Sequence, residues 1–385
     1  MIPYGRQWVS EEDIQAVIDV LRSDFITQGP AIERFEAAVA EYCDVAHAVA
    51  VSSGTAALHL ACLALGLGQG DTLWTSPNTF VASANCALYC GADIDFVDID
   101  ALTYNMSADE LEKKLSAVCK RGGRLPKVVV PVHFAGVSCD MARIAELAEE
   151  YGFKVLEDAS HAIGGRYRGR PVGSCEFSDA AVFSFHPVKI VTTGEGGMVV
   201  TNDAGLAERL RRLRTHGITR DATRMDRQPD GPWYYQQVEL GYNYRITDIQ
   251  AALGVSQMTR LDEFVSRRNQ LAGRYKELLR GLPVRWQHVP GDVRSAYHLF
   301  VIEAEGWERL GVFEAMRKAG IGVNVHYIPV HLQPYYRKLG FKEGDFPKSE
   351  AYYELAITLP LYPAMTEEQQ DSITDLLAAI WGESG

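Results

Sequence analysis

The stretch FSFHPVKIVTTGEGG, residues 183–197, decides how this chain is read. An apolar, β-like run ends at Phe185, and Lys189 follows in a segment too rich in glycine to continue as a helix. Five of the eight residues after Lys189 are threonine or glycine. A lysine is ordinarily a solvated surface residue. One set between a strand end and a loop of small residues reads instead as a group with something packed against it, because glycine lets backbone approach a ligand closely.

Working outward, short apolar runs alternate with helical patterns. HAVAV (47–51), IDFVDI (94–99), KVVVPVH (127–133), FKVLED (153–158), AAVFSF (180–185) and GGMVVTN (196–202) read as strands. Helical patterns start at Thr55, at SADE (107–110), which has the form of a capping box, and in MARIAELAEEYG (141–152). Repeated β–α–β alternation predicts an α/β fold with a mainly parallel sheet covered on both faces. Past residue 245 the pattern changes. Thr247 can cap a long proline-free amphipathic stretch running to about residue 282. YHLFVIEA (297–304), a short helix, VNVHYIPV (323–330) and a last helix capped at TEEQ (366–369) follow. This α+β character predicts a large domain over 1–250 and a smaller one over 251–385.

Composition narrows the function. The 385 residues are 47% apolar and 23% charged, which favours a folded core over disorder. A formal net charge of −12 argues against nucleic acid and against an anionic membrane surface, but not against an anionic small molecule in a locally positive pocket. Seven cysteines in no paired pattern suggest a reducing compartment. Cys86 and Cys90 share a helix face, yet no second pair follows at zinc-like spacing, so they read as small core residues and no metal is expected. MIPYGRQ has no export signal, and the apolar region 46–68 is interrupted by Ser-Ser-Gly-Thr and does not qualify as a membrane span. The expectation is a cytoplasmic protein.

Ligands of such sheets sit outside the carboxyl ends of the strands. SSGT (52–55) lies there, where free N–H groups and the helix dipole attract an anion and Gly54 admits a phosphate; alone it is an ordinary N-cap. Asp158 ends a strand in LEDASHA (156–162), as a helix cap or as the counter-ion that keeps a ring nitrogen protonated. Phe80 in SPNTF (76–80) is a core aromatic or a ring-stacking one. Ser184 adds a hydroxyl for a phosphate, and Lys189 an amine able to form a Schiff base when burial keeps it neutral. Together they describe a pyridoxal-phosphate (PLP) enzyme of the aspartate-aminotransferase fold, fold type I. A nicotinamide dehydrogenase would need G-x-G-x-x-G after the first strand, and SSGTAA does not supply it.

The opening stretch, with EDASHA (157–162) before it and GYNYRITDIQAALG (241–254) after it, resembles the DegT/DnrJ/EryC1/StrS family of sugar-nucleotide aminotransferases. The likeness runs through YIPVHLQPYY (327–336) and LPLYP (359–363), covering essentially the whole chain. It implies PLP as cofactor, Lys189 as the lysine that bonds to it and moves protons, and Asp158 against its ring nitrogen. It also implies Phe80 packed on the ring and Gly54, Thr55 and Ser184 on the phosphate. His161 stands where many members have Gln or His and is counted with the cofactor contacts. Asn243 matches a residue that reaches the neighbouring subunit's cofactor, so a homodimer with shared active sites is implied. Some relatives carry histidine in place of Lys189 and dehydrate sugars; the lysine favours transamination.

A narrower resemblance, carried by residues 1–30 and 73–100, is to the transaminases of pseudaminic acid biosynthesis. It implies amine transfer from L-glutamate, which leaves as 2-oxoglutarate, to C4 of UDP-2-acetamido-2,6-dideoxy-β-L-arabino-hex-4-ulose. The product would be UDP-4-amino-4,6-dideoxy-N-acetyl-β-L-altrosamine. Tyr4, Asp24, Phe25, Ile26, Thr27, His326 and Tyr327 would then line the sugar-nucleotide site. The alternatives are another nucleotide-linked keto sugar, with a D-xylo 4-ketone or a C3 ketone, and a PLP-holding protein without turnover. Related sequences often have alanine in place of Gly54; the glycine here, a hydrogen where they have a methyl, is expected to leave the phosphate cradle intact and to loosen the turn slightly.

Overall fold

The computed structural model describes residues 1–384. Seven strands form one sheet: β1 (His47–Val51), β2 (Thr72–Thr75), β3 (Asp93–Phe96), β4 (Val128–Val130), β5 (Lys154–Asp158), β6 (Ala180–Ser184) and β7 (Gly197–Thr201). Their order is β1-β7-β6-β5-β4-β2-β3. From β6 to β3 all neighbours are parallel, while β7 is antiparallel to both β1 and β6. Because β7 is reversed, β1 and β6 point the same way, and the carboxyl ends of β1, β5 and β6 share one edge. Alternate residues of these strands enter two different cores. Val49, Val51, Leu156 and Val182 pack with the helix Gly54–Ala64. Ala48, Ala50, Ala181 and Phe183 pack with the helices Pro30–Cys43 and Asp248–Met258. Both faces are therefore covered, as near-continuous apolar strands require.

A three-stranded antiparallel sheet of Val284–Trp286, Phe300–Ala304 and Ala356–Leu359 has its own core, which includes Leu271, Tyr275, Ile302, Met316 and Ile357. The chain's first residues join this part. Ile2 bridges Ile321, and the Leu361 N–H donates to the Tyr4 carbonyl at 3.1 Å. The N-terminal segment thus brings Tyr4 alongside segments more than 300 residues away in sequence.

The long stretch after Thr247 is two helices, not one: Asp248–Met258 and Leu261–Leu278. Thr247 and Gln250 do form a reciprocal capping box. The break comes where Thr259 Oγ1 donates back to the Ser256 carbonyl (2.7 Å) and Arg260 turns to the buried Asp13 (2.5 Å). Along Leu261–Leu278 the packing passes from one core to the other: Leu261, Phe264 and Val265 face the large sheet, Leu271, Ala272 and Tyr275 the small one. At Ser107 the expected capping box is only half made. Ser107 Oγ accepts the Glu110 N–H (3.3 Å), but the Ser107 N–H donates to the Asp98 carbonyl and the Glu110 carboxylate pairs with Lys113 and Lys348. The last helix, Glu367–Ser384, has the expected reciprocal cap between Thr366 and Gln369. No described helix is long and apolar enough to cross a membrane. All seven cysteines are free thiols.

Candidate active site

A cavity of about 560 Å³ opens at the edge shared by β1, β5 and β6. Its floor is built where three backbone segments interlock. Ser53 caps the helix Gly54–Ala64 by accepting the Ala56 N–H (3.1 Å), and Gly54 and Thr55, whose N–H groups have no partner within the helix, line the cavity. A Cβ on Gly54 would lie 2.8 Å from Ser184 Cβ, and one on Gly197 only 2.3 Å from the Ser53 carbonyl oxygen. Gly197 is therefore small because the cradle's own backbone lies on it, and no ligand is needed to explain it. By the same geometry, a methyl group at position 54 in this chain would displace Ser184.

Asp158, at the end of β5, is buried and clamped. Ser83 Oγ donates to its Oδ2 (2.6 Å) and the Ser160 N–H to its Oδ1 (3.1 Å), while Thr79 Oγ1 lies 2.7 Å from Ser83 Oγ. The carboxylate is thus fixed in orientation on the cavity wall. Lys189 lies on the turn after β6, with no hydrogen-bond or ion-pair partner for its Nζ among the described residues. Loss of solvation lowers its pKa to about 8, against an opposing pull from Asp158. Near neutral pH a usable fraction of this amine is therefore uncharged, as a nucleophilic lysine requires.

The far wall carries aromatic and imidazole rings. Tyr4 and His326 lie 5.7 Å apart, and Phe80, half-exposed at 56%, is 6.3 Å from the Tyr327 ring. His326 Nδ1 is 2.8 Å from Thr358 Oγ1; burial and then Lys189 lower its pKa to about 3, so it is neutral. His161 and His298 face each other at 4.4 Å, and burial holds both well below the usual histidine range. The segment that presents His298, just before the strand Phe300–Ala304, is held by the buried Arg268, which donates to the carbonyls of Tyr297, His298 and Leu361 (3.2, 3.2 and 3.0 Å).

The structure gathers Tyr4, Gly54, Thr55, Phe80, Asp158, His161, Ser184, Lys189, His326 and Tyr327 around this one cavity. It does not bring Asp24, Phe25, Ile26, Thr27 or Asn243 there. The first four are exposed, with Thr27 bridged to Thr247, and Asn243 bridges Thr215. Sequence reasoning missed Ser83, Glu195, His298 and Asn324. Ser83 had a signal, standing three residues after Phe80 in the first turn of the helix Ala82–Tyr89. His298 and Asn324 had none, because they arrive from the second sheet.

A partly neutral lysine, a carboxylate clamped to accept and a helix N-terminus across the same cavity match the donor set that a pyridinium ring with a phosphate arm demands. Gly54 keeps that N-terminus clear of any side chain. Such a set, at the carboxyl edge of this sheet, defines a fold-type-I PLP enzyme. The chain belongs to the DegT/DnrJ/EryC1/StrS aminotransferase family, whose model matches residues 7–378.

Among curated relatives it is 41% identical over 386 residues to the spore coat polysaccharide biosynthesis protein SpsC of Bacillus subtilis, covering 98% of this chain and 97% of that one. Among solved structures it is similar to the putative sugar aminotransferase Spr1654 of Streptococcus pneumoniae in its PMP form (31% identity, TM-score 0.90, 100% of both chains). It is likewise similar to Helicobacter pylori PseC, an aminotransferase involved in the biosynthesis of pseudoaminic acid (30% identity, TM-score 0.90, 99% of each chain). The chain is a PLP-dependent sugar aminotransferase.

Proposed function

We propose that this enzyme aminates C4 of a UDP-linked 2-acetamido-2,6-dideoxy-4-keto-hexose of L-arabino configuration, with L-glutamate as donor, yielding UDP-4-amino-4,6-dideoxy-N-acetyl-β-L-altrosamine. The observation that carries the reading is the juxtaposition of Lys189 with Tyr4, His326 and Tyr327 across a cavity of about 560 Å³, a size suited to a small-molecule substrate. The structural likeness to PseC and the sequence likeness of residues 1–30 and 73–100 support the choice of sugar. A second reading, another nucleotide-linked keto sugar of a surface polysaccharide, draws on the 41% identity to SpsC.

Bound PLP supplies a carbonyl that accepts the donor's amine and a ring that takes up the electron pair left at carbon. The protein's part is positioning and proton movement. Gly54, Thr55 and Ser184 bind the phosphate, the N–H groups at the helix N-terminus supplying most of the attraction. Asp158 holds a proton on the ring nitrogen, and Ser83 holds Asp158. Phe80 covers the ring. Lys189 removes the Cα proton of glutamate and, in the second half of the cycle, delivers a proton to C4 of the sugar. The face from which its Nζ approaches then sets the configuration at C4.

We further propose a homodimer working in the cytoplasm, where seven free thiols stay reduced. Phe25 and Ile26 are 53% and 52% exposed, Trp233 and Leu240 73% and 78%; large apolar side chains in such exposure fit an interface. A second copy laid there would carry Asn243 and residues 24–27 to a cavity that they do not reach in their own chain.

The test is a product assay with purified protein, glutamate and the L-arabino and D-xylo epimers of the UDP-4-keto sugar, with NMR to locate the new amine. Amination at C4 of the L-arabino compound alone is expected. Preference for the D-xylo epimer, or an amine at C3, would move the enzyme to the second reading.

A further inference from the structure

His161 is the middle of a hydrogen-bonded chain that begins in the backbone. The Ala135 N–H donates to His161 Nδ1 at 3.3 Å, and His161 Nε2 lies 3.2 Å from the Tyr327 hydroxyl. An amide N–H can only donate, so Nδ1 is the bare nitrogen of the ring. Burial first, then Lys189 and His326, keep His161 neutral. A neutral imidazole with a bare Nδ1 carries its proton on Nε2, and that proton faces the Tyr327 oxygen.

The amide that sets this direction is held from every side. Ala135 has φ 56°, in the left-handed region that a non-glycine residue occupies only when its surroundings hold it there. Asn105 brackets the turn, accepting the Phe134 N–H and donating to the Val137 carbonyl, both at 2.9 Å. The Leu299 N–H donates to the Ala135 carbonyl (3.3 Å) and the Ala296 N–H to that of Gly136 (3.0 Å). Gly136, at φ 102°, has no room for a side chain: a Cβ would lie 2.7 Å from the Tyr297 nitrogen and 3.0 Å from the His161 carbonyl oxygen.

Tyr327 keeps its own proton, since burial, then Asp158 and Tyr4, raise its pKa. Its oxygen accepts from His161, and its proton has no acceptor among the described residues. We propose that the Ala135 amide locks His161 as the Nε2–H tautomer, and that Tyr327 in consequence presents its hydroxyl proton to an acceptor oxygen of the ligand held in the cavity. Tyr327 is then a ligand-contacting donor and His161 the residue that positions it. The inference rests on the aminotransferase class and not on which sugar is used. The acceptor is an oxygen of the cofactor ring or one of the sugar, and the experiment separates the two.

The first measurement is the tautomer itself, by long-range proton–nitrogen correlation on the full-length holoenzyme labelled with nitrogen-15 histidine, with His161→Gln identifying the signal. A protonated Nε2 and a bare Nδ1 are expected; a protonated Nδ1 overturns the proposal. The second compares three variants. Glutamine at position 161 places an amide nitrogen where Nε2 stood, so His161→Gln should lose markedly less than His161→Glu. His161→Glu places only an acceptor there and draws the Tyr327 proton back, so it should match Tyr327→Phe in a loss of roughly 10- to 100-fold. A rise in the PLP dissociation constant with the sugar KM unchanged assigns the acceptor to the cofactor ring; the reverse assigns it to the sugar. Equal behaviour of the glutamine and glutamate variants, or a Tyr327→Phe enzyme that moves neither constant, overturns it.

Discussion

The strand-end wall and the outer segments around Asn243 and residues 24–27 both belong to the site that the family resemblance implies, yet the chain treats them differently. Asp158 is buried and makes its contacts within its own fold, and Gly54 and Ser184 touch each other across two strand ends. Asp24, Phe25, Ile26 and Thr27 lie exposed, and Asn243 stands away from the cavity. The difference separates what one chain organises by itself from what a second copy would complete. It also orders the predictions, since the self-contained wall should hold the chemistry and the outer segments only its retention.

The largest effect is expected at Lys189. Lys189→Ala should lose on the order of 10⁴-fold or more in glutamate-dependent turnover while remaining folded and still holding PLP non-covalently. A loss under tenfold would move the chemical centre off the strand-end wall. Asp158→Asn should cost roughly a hundredfold with PLP still bound, and Ser83→Ala roughly tenfold, because it releases a buried charge-assisted hydrogen bond. Ser83→Ala with wild-type turnover would mean that Asp158 needs no clamp.

The pH dependence probes the same wall. Lys189 reacts as the neutral amine, and its pKa is lowered to about 8 by loss of solvation. Capture of PLP by the ligand-free enzyme should therefore accelerate about tenfold per pH unit below that value and level off above it. A plateau reached only near the ordinary lysine range would show Lys189 to be solvated. For the outer segments, Asn243→Ala should weaken PLP retention by about tenfold, measured as cofactor loss on dilution of the dimer. Unchanged retention would remove Asn243 from the neighbouring site. The smallest effect is expected for Gly54→Ala, a few-fold weakening of PLP binding as Ser184 is pushed aside.

How much of this was legible depends on where each residue's partners come from. Six of the seven strands could be read because their apolar runs are local; Thr72–Thr75, only four residues long, was not among them. Asp158, Ser184 and Lys189 could be read because each ends or follows such a strand. The Thr247 cap could be read from four residues. The break at Arg260 could not, since it answers to Asp13, far away on another helix. The half-formed cap at Ser107 escaped for a like reason, Asp98 and Lys348 having taken its two hydrogen-bonding groups. His298 and Asn324 were invisible because the second sheet delivers them to a cavity whose floor belongs to the first. The glycines after Lys189 stand out in the sequence, but at Gly197 the pressure comes from the Ser53 carbonyl and not from a ligand.

The central claim is that Lys189 is the lysine that bonds to the cofactor. Borohydride reduction of the PLP-loaded enzyme, followed by digestion and peptide mapping, tests it most directly. A single pyridoxyl group on the peptide carrying Lys189, absent when glutamate is added first, is the predicted result. A pyridoxyl group on any other lysine, or none on the loaded enzyme, would contradict it.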